Sequence, residues 1–278
     1  MTVGEVWEDT LINASYIKGE EFDISFEFWL AGAMIKSIIE GNASRINDQV
    51  LRSYTEIPEM RFGSFLTNHD QDRVMSQLID EDKKVKVAAS LLLTAPGVPF
   101  IYYGEEIGMQ GDQSHDWVRR PMQWSDAMNG GFSNASPWQP LGPAWETYNV
   151  AEELEDSGSI LSHYQMLIRI RNEHAALRVG DLEVLTTTND GIYSILRVSE
   201  DEAVLILINL SDQPARDVWI TKSQSILPEG HYTPVPILGE MTLPAIEINP
   251  NGGLFHLLST LEIAPYQTCI YQLQPQIP

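Results

Sequence analysis

Apolar and polar positions follow two rhythms along this chain, and the change between them divides it. In the first part, short apolar runs suited to buried strands alternate with stretches of three-to-four-residue periodicity. Thr2–Trp7 and Phe22–Phe28 read as strands, and Leu30–Ile39 as an apolar helix closed by a Gly41-Asn42 C-cap signal. Ser44 is placed to cap a further helix in which Ile46, Val50 and Tyr54 recur on one face. A strand over 62–67 follows. Asp80–Thr94 is the clearest helix, with Val85, Ala88, Ala89 and Leu92 on one face and Pro96-Gly97 at its end. Val98–Tyr103 is a continuous apolar strand, and Ile160–Leu177 a helix with Ile160, Tyr164, Leu167 and Ile168 facing inward. Strands and helices alternating in this way predict βα units on a parallel sheet.

Beyond Gly180 the rhythm becomes β-rich. Leu182–Thr187, Ile192–Val198, Val204–Leu210, Val218–Thr221, Met241–Ile248 and Thr268–Leu273 are separated by Asn, Asp, Gly and Pro, which predicts an antiparallel sandwich. The expected organisation is therefore an α/β part over residues 1–178 and a β-sandwich over 179–278. Between 107 and 158 the chain reads mostly as loop, and a loop of that length inside a domain is usually functional.

Composition narrows the function. With 278 residues, 43% of them hydrophobic, the chain can bury a sizeable core. A formal charge of −22 argues against nucleic acid and anionic membrane surfaces as partners, and no apolar run approaches a spanning length. The single cysteine, Cys269, excludes an internal disulfide. Metal-ligand spacing, a phosphate-cradling glycine loop and a nucleophile elbow are all missing from the sequence. The first residues do not resemble a signal peptide; they read like the inside of a domain, so any leader would lie upstream, and the compartment stays open.

Candidate chemistry gathers where strands end. Glu5, beside Trp7 at a strand's end, suits general acid work; the plainer alternative is a solvated loop carboxylate. The strand over 62–67 breaks into Asn68, His69 and Asp70 at the end where α/β proteins meet ligands. His69 and Asp70 can hydrogen-bond vicinal sugar hydroxyls and stabilise positive charge at an anomeric carbon, or Asp70 can serve as a helix cap. Arg73 is either the counter-charge of Asp70 or a surface helix residue. Glu105 and Glu106 follow Tyr102-Tyr103-Gly104; neighbouring carboxylates face opposite ways, so structural hydrogen bonding is the expected role. Trp117, Trp124, Trp138 and Trp145 are placed to stack on sugars or to pin the long loop, the latter expected for at least two.

These residues resemble the α-amylase family of glycoside hydrolases, in particular its α-glucosidase and oligosaccharide-acting branches. Four ordered motifs carry the resemblance: Gly4-Glu5-Val6-Trp7, Phe65-Leu66-Thr67-Asn68-His69-Asp70-Gln71, Gly97 through Met109, and Arg120-Pro121-Met122-Gln123-Trp124 with Gly131-Phe132-Ser133. The resemblance implies a retaining α-glycoside hydrolase acting on α-glucans or α-glucosides, with Glu5 as acid/base and Asp70 as transition-state stabiliser. It places His69, Arg73 and Trp7 among the substrate-binding residues. No organic cofactor is implied; calcium occurs in the family, but no ligands are assignable in this sequence. The family's nucleophile, an Asp within a Gly-Phe-Arg-x-Asp type motif, has no counterpart, the nearest string being Arg178-Val179-Gly180-Asp181. A (β/α)8 TIM barrel needs roughly 250 residues, so the resemblance implies its C-terminal half only, about strands five to eight. The isolated chain would then be inactive until it meets the N-terminal half-barrel. A non-catalytic carbohydrate-binding or scaffold chain, or a transglycosylase or isomerase of the same family, are the alternatives.

Overall fold

Four short strands, β1 (Val3–Gly4), β2 (Ile24–Phe26), β3 (Phe62–Ser64) and β4 (Val98–Pro99), lie side by side in sequence order and run parallel. Gly4 faces Ser25, Phe26 faces Gly63 and Ser64 faces Pro99. The structure, a computed structural model, describes residues 1–276 apart from Glu20, Asp80 and Gln113, and of 259–261 the backbone alone. Asp80, the expected start of a helix, thus lies outside the described residues.

Parallel neighbours require crossovers. These are α1 (Thr10–Lys18), then α2 (Phe28–Glu40) with α3 (Ser44–Glu56), then α4 (Val74–Gln77) with α5 (Asp82–Thr94). The first of these helices is unexpected. It buries Thr10, Asn13, Ala14 and Ile17, half of them polar, so its inward face carries little apolar signal. In α3 the residue outside the helix is Ala43, and Asn42 Oδ1 accepts from Ser44 N at 2.8 Å; Ser44 is the first helical residue rather than the cap. The strands are shorter than their apolar runs because the carboxyl ends leave the ladder. Phe65 and Phe100 pack with Phe26 and Phe28 instead, ring centroids 4.8–5.2 Å apart.

The long segment after β4 contains α6 (His115–Val118) and α7 (Val150–Glu155). The helix expected over 160–177 breaks at His174 into α8 (Ile160–Glu173) and α9 (Ala175–Val179). Ile168 is not inward: it stands 38% exposed beside the unpaired edge of β4, near Val98 and Ile101. Arg171 takes the inward position and donates to the carbonyls of Leu93, Ala95 and Gly97 at 2.8–3.0 Å.

From Asp181 onward the chain forms one antiparallel sheet of nine strands: β5 (Asp181–Val184), β6 (Thr186–Thr187), β7 (Ile192–Val198), β8 (Ala203–Asn209), β9 (Ala215–Lys222), β10 (Gly230–Leu238), β11 (Ile246–Ile248), β12 (Leu254–Ile263) and β13 (Thr268–Pro275). Strands β10 and β12 were not expected; Pro234 and Pro236 disguise the first as a loop. β7 and β8 are buried on both sides. Tyr193, Ile195, Val204, Ile206 and Ile208 join the core of α2, α5 and α8. Leu196, Leu205 and Leu207 face a second core closed by Val218, Ile220, Leu254 and Leu258. Arg197 of β7 crosses into the first unit and donates to Thr94 O and Gly180 O, each at 2.9 Å.

Candidate active site

Because the four parallel strands share a direction, everything that follows them emerges on one side. Glu5 follows β1, Thr67-Asn68-His69-Asp70 follow β3, and Phe100-Ile101-Tyr102 follow β4. Glu5, Asn68 and His69 face a cavity of about 180 Å³ whose wall is Phe26, Phe65, Phe100 and Tyr102. Glu5 Oε1 accepts from Trp7 Nε1 at 3.2 Å and from Asn68 Nδ2 at 3.5 Å. The same Asn68 side chain accepts from the Asp70 backbone N–H at 2.9 Å, so one amide ties the first carboxylate to the loop of the second.

Asp70 is held by three cationic or ionisable groups. Arg119 Nη2 donates to Oδ1 at 2.6 Å, His115 Nδ1 lies 3.3 Å from that oxygen, and His69 Nε2 lies 3.4 Å from Oδ2. Arg119 also donates from Nε to the His69 carbonyl at 3.0 Å, clamping two consecutive residues. The Asp70 carboxylate lines an adjacent cavity of about 160 Å³ with Gln71, Ser114 and His115, not the cavity of Glu5. His69 links the two: it lines the first and its ring lies beside the carboxylate that lines the second.

Arg73 is not the counter-charge of Asp70; Arg119 is. Arg73 is 1% exposed, donates to Tyr103 O at 2.7 Å and lies over the rings of Tyr102 and Tyr103, lining none of the cavities described. Trp7 is 52% exposed, stacks on Phe28 and lines a larger groove beside the Glu5 cavity. Sequence reasoning missed Arg119 and His115. The available signal was scarcity: 17 basic residues against 39 acidic ones make a pair such as Arg119-Arg120 in an acidic loop conspicuous. Of the four loop tryptophans, Trp117, Trp124 and Trp138 are exposed, Arg120 lies over the Trp117 ring, and none lines the Glu5 cavity.

Beneath the strand tips lies a buried polar layer. Glu105 accepts from Tyr164 OH at 2.7 Å and from Thr67 Oγ1 at 3.5 Å. Burial pushes its carboxyl up to about 8, with Glu106 adding to the shift and Tyr164, Arg73 and Thr67 opposing it. Thr67 directly precedes Asn68, so this layer supports the loop carrying the candidate residues. Among the described residues no group of three or more His, Cys, Asp or Glu gathers as a metal site.

The Alpha amylase, catalytic domain family matches residues 1–180, and the chain belongs to the α-amylase family of glycoside hydrolases. It is 32% identical over 218 residues to Alpha-amylase 3 of Dictyoglomus thermophilum, covering 75% of this chain and 42% of that protein. Glucan 1,6-alpha-glucosidase of Streptococcus pneumoniae is 30% identical over 281 residues, covering 82% of this chain and 52% of that protein. The crystal structure of α-amylase from H. orenii superimposes with a TM-score of 0.77 at 30% identity, over 98% of this chain and 53% of that one. The chain spans about half the length of these relatives.

Proposed function

We propose that this chain supplies the acid/base side of a retaining α-glycosidase acting on α-glucans or α-glucosides. The observation that carries the reading is the placement of Glu5 and His69 on one aromatic-walled cavity, with Asp70 joined to it through His69 and Asn68. Aromatic walls suit the apolar faces of sugar rings, and polar groups at the rim suit their hydroxyls. The parallel sheet is, in this reading, strands five to eight of an eight-stranded barrel. Both of its edges, β1 and β4, are unpaired, and an upstream half would close them.

In the closed barrel an aspartate of that upstream half attacks the anomeric carbon while Glu5 gives its proton to the departing glycosidic oxygen. Glu5, now ionised, then takes a proton from the water that releases the sugar from the aspartate. Asp70, Arg119 and His69 steady the ring as positive charge develops. A second reading, a carbohydrate-binding chain without turnover, is favoured by one observation: the Asp70 carboxylate is engaged on both oxygens and lines the neighbouring cavity. Mixing the chain with the N-terminal half-barrel of a relative and following 4-nitrophenyl α-glucoside hydrolysis separates the two. Turnover that disappears with Glu5→Gln supports the glycosidase. Turnover that survives Glu5→Gln removes Glu5 from the mechanism, and oligosaccharide affinity without turnover leaves the binder.

A further inference from the structure

We propose that the groove between α2 and α3 is a second α-glucan-binding site, running outward from the Glu5 cavity through Trp7. The groove encloses about 830 Å³. Along α2 it follows Trp29, Gly32, Lys36 and Glu40, one helical stripe, which at 1.5 Å per residue extends roughly 16 Å. That is room for several sugar rings in a row.

Four observations point to a neutral polyhydroxylated ligand. Trp7 and Trp29 stand 52% and 54% exposed at one end, yet both indole N–H groups are tied down, to Glu5 Oε1 at 3.2 Å and to Glu8 O at 2.9 Å. The rings are therefore fixed, half-exposed platforms lining the groove, that of Trp7 backed on one face by Phe28. Gly32 sits inside a helix, where glycine is unfavourable, and a Cβ added there meets nothing within 4 Å. No neighbouring residue requires the missing side chain; its absence keeps the groove floor open. Arg45 is paired with Glu40 at 2.9 Å and Arg52 with Asp9 at 2.7 Å, and the remaining charges of the lining, Lys36 and Asp48, are of opposite sign, so the walls offer hydrogen bonds without a net charge for an anion. Gln71 lines both this groove and the Asp70 cavity, and its amide oxygen has no hydrogen-bond partner among the described residues.

The choice of an α-glucan rests on the glycosidase reading; the groove itself does not, and the test needs no turnover. Calorimetric titration of the isolated chain with maltohexaose and isomaltohexaose is expected to show binding to at least one, and the preferred chain gives the linkage. Gly32→Leu, which fills the floor, and Trp29→Ala, which removes a platform, are each expected to weaken that binding at least tenfold. Gly32→Leu should also raise the melting temperature, so a loss of binding in it is not a loss of fold. Failure of both hexasaccharides to bind overturns the groove assignment, as does binding that both variants leave unchanged. Either result leaves the Glu5 assignment to its own turnover experiment.

Discussion

Glu105 offers a test of the buried layer that works on the isolated chain. Burial raises its carboxyl from 4.5 to about 8, so between those values the folded chain holds a proton that the unfolded chain has lost. Folding stability then falls as pH rises, by about 1.4 kcal/mol per pH unit, and levels off above the folded value. His163 carries the opposite sign. Burial pulls its imidazole from 6.5 down to about 4, so below 6.5 the unfolded chain binds a proton that the folded one refuses, and stability falls with falling pH. From 4.5 to 6.5 the two slopes oppose each other. From 6.5 to 8 Glu105 acts without that opposition, a difference of about 2 kcal/mol. Glu105→Gln keeps an oxygen for the Tyr164 hydroxyl and cannot ionise. Urea denaturation at pH 6.5 and pH 8 should show wild type losing about 2 kcal/mol more than the variant over that interval. Glu27, Glu106 and Glu153 are raised by burial too, so the comparison is between the two proteins and not with a flat line. Parallel profiles for the two proteins would refute a buried, protonated Glu105.

Three further perturbations bear on the same region. Tyr164→Phe removes the 2.7 Å donor to Glu105 and should cost about 1–3 kcal/mol by urea denaturation, with the alkaline loss extending above pH 8 because the hydroxyl opposes the upward shift. Arg73→Met removes the donor to Tyr103 O and the cation that favours ionised Glu105; its destabilisation should be larger at pH 8 than at pH 6, measured the same way. Arg119→Met breaks a pair whose side chains are 38% and 33% exposed, so stability should change by less than about 1 kcal/mol, while amide exchange across residues 69–72 accelerates.

The sequence carried the parallel unit well because short apolar blocks alternate there with helical periodicity, most plainly where the block ends in a burst of polar residues. Phe62 through Asp70 announces both the strand and what it delivers. It carried α1 poorly, since Thr10 and Asn13 face inward to hydrogen-bond Glu27 instead of presenting an apolar stripe. Among the candidates, Glu5 and His69 meet on one cavity as their positions after strands suggested, whereas Asp70, read as facing the same cavity as Glu5, lines the neighbouring one. Arg119 was not legible, because it reaches Asp70 from 49 residues away through a loop with no periodicity. Arg73 misled for the complementary reason: nearness to Asp70 in sequence said nothing of the helix start that turns it inward, over Tyr102 and Tyr103.

The two arginines at the end of α5 join what the sequence divides. The closing peptide oxygens of that helix, Leu93 and Thr94, are held by guanidiniums from different units, one on α8 and one on β7, and β4 begins four residues past the second. Burial draws both guanidiniums below their usual range, and neither has a carboxylate within salt-bridge distance among the described residues. Their anchorage is the negative end of the helix dipole itself. A chain shortened to Val179 would keep every candidate residue yet lose the Arg197 tether and the apolar cover over α5. The β-rich tail is thus a splint for the helix that delivers β4, and trimming it would unsettle the frame on which Tyr102 and Glu105 stand.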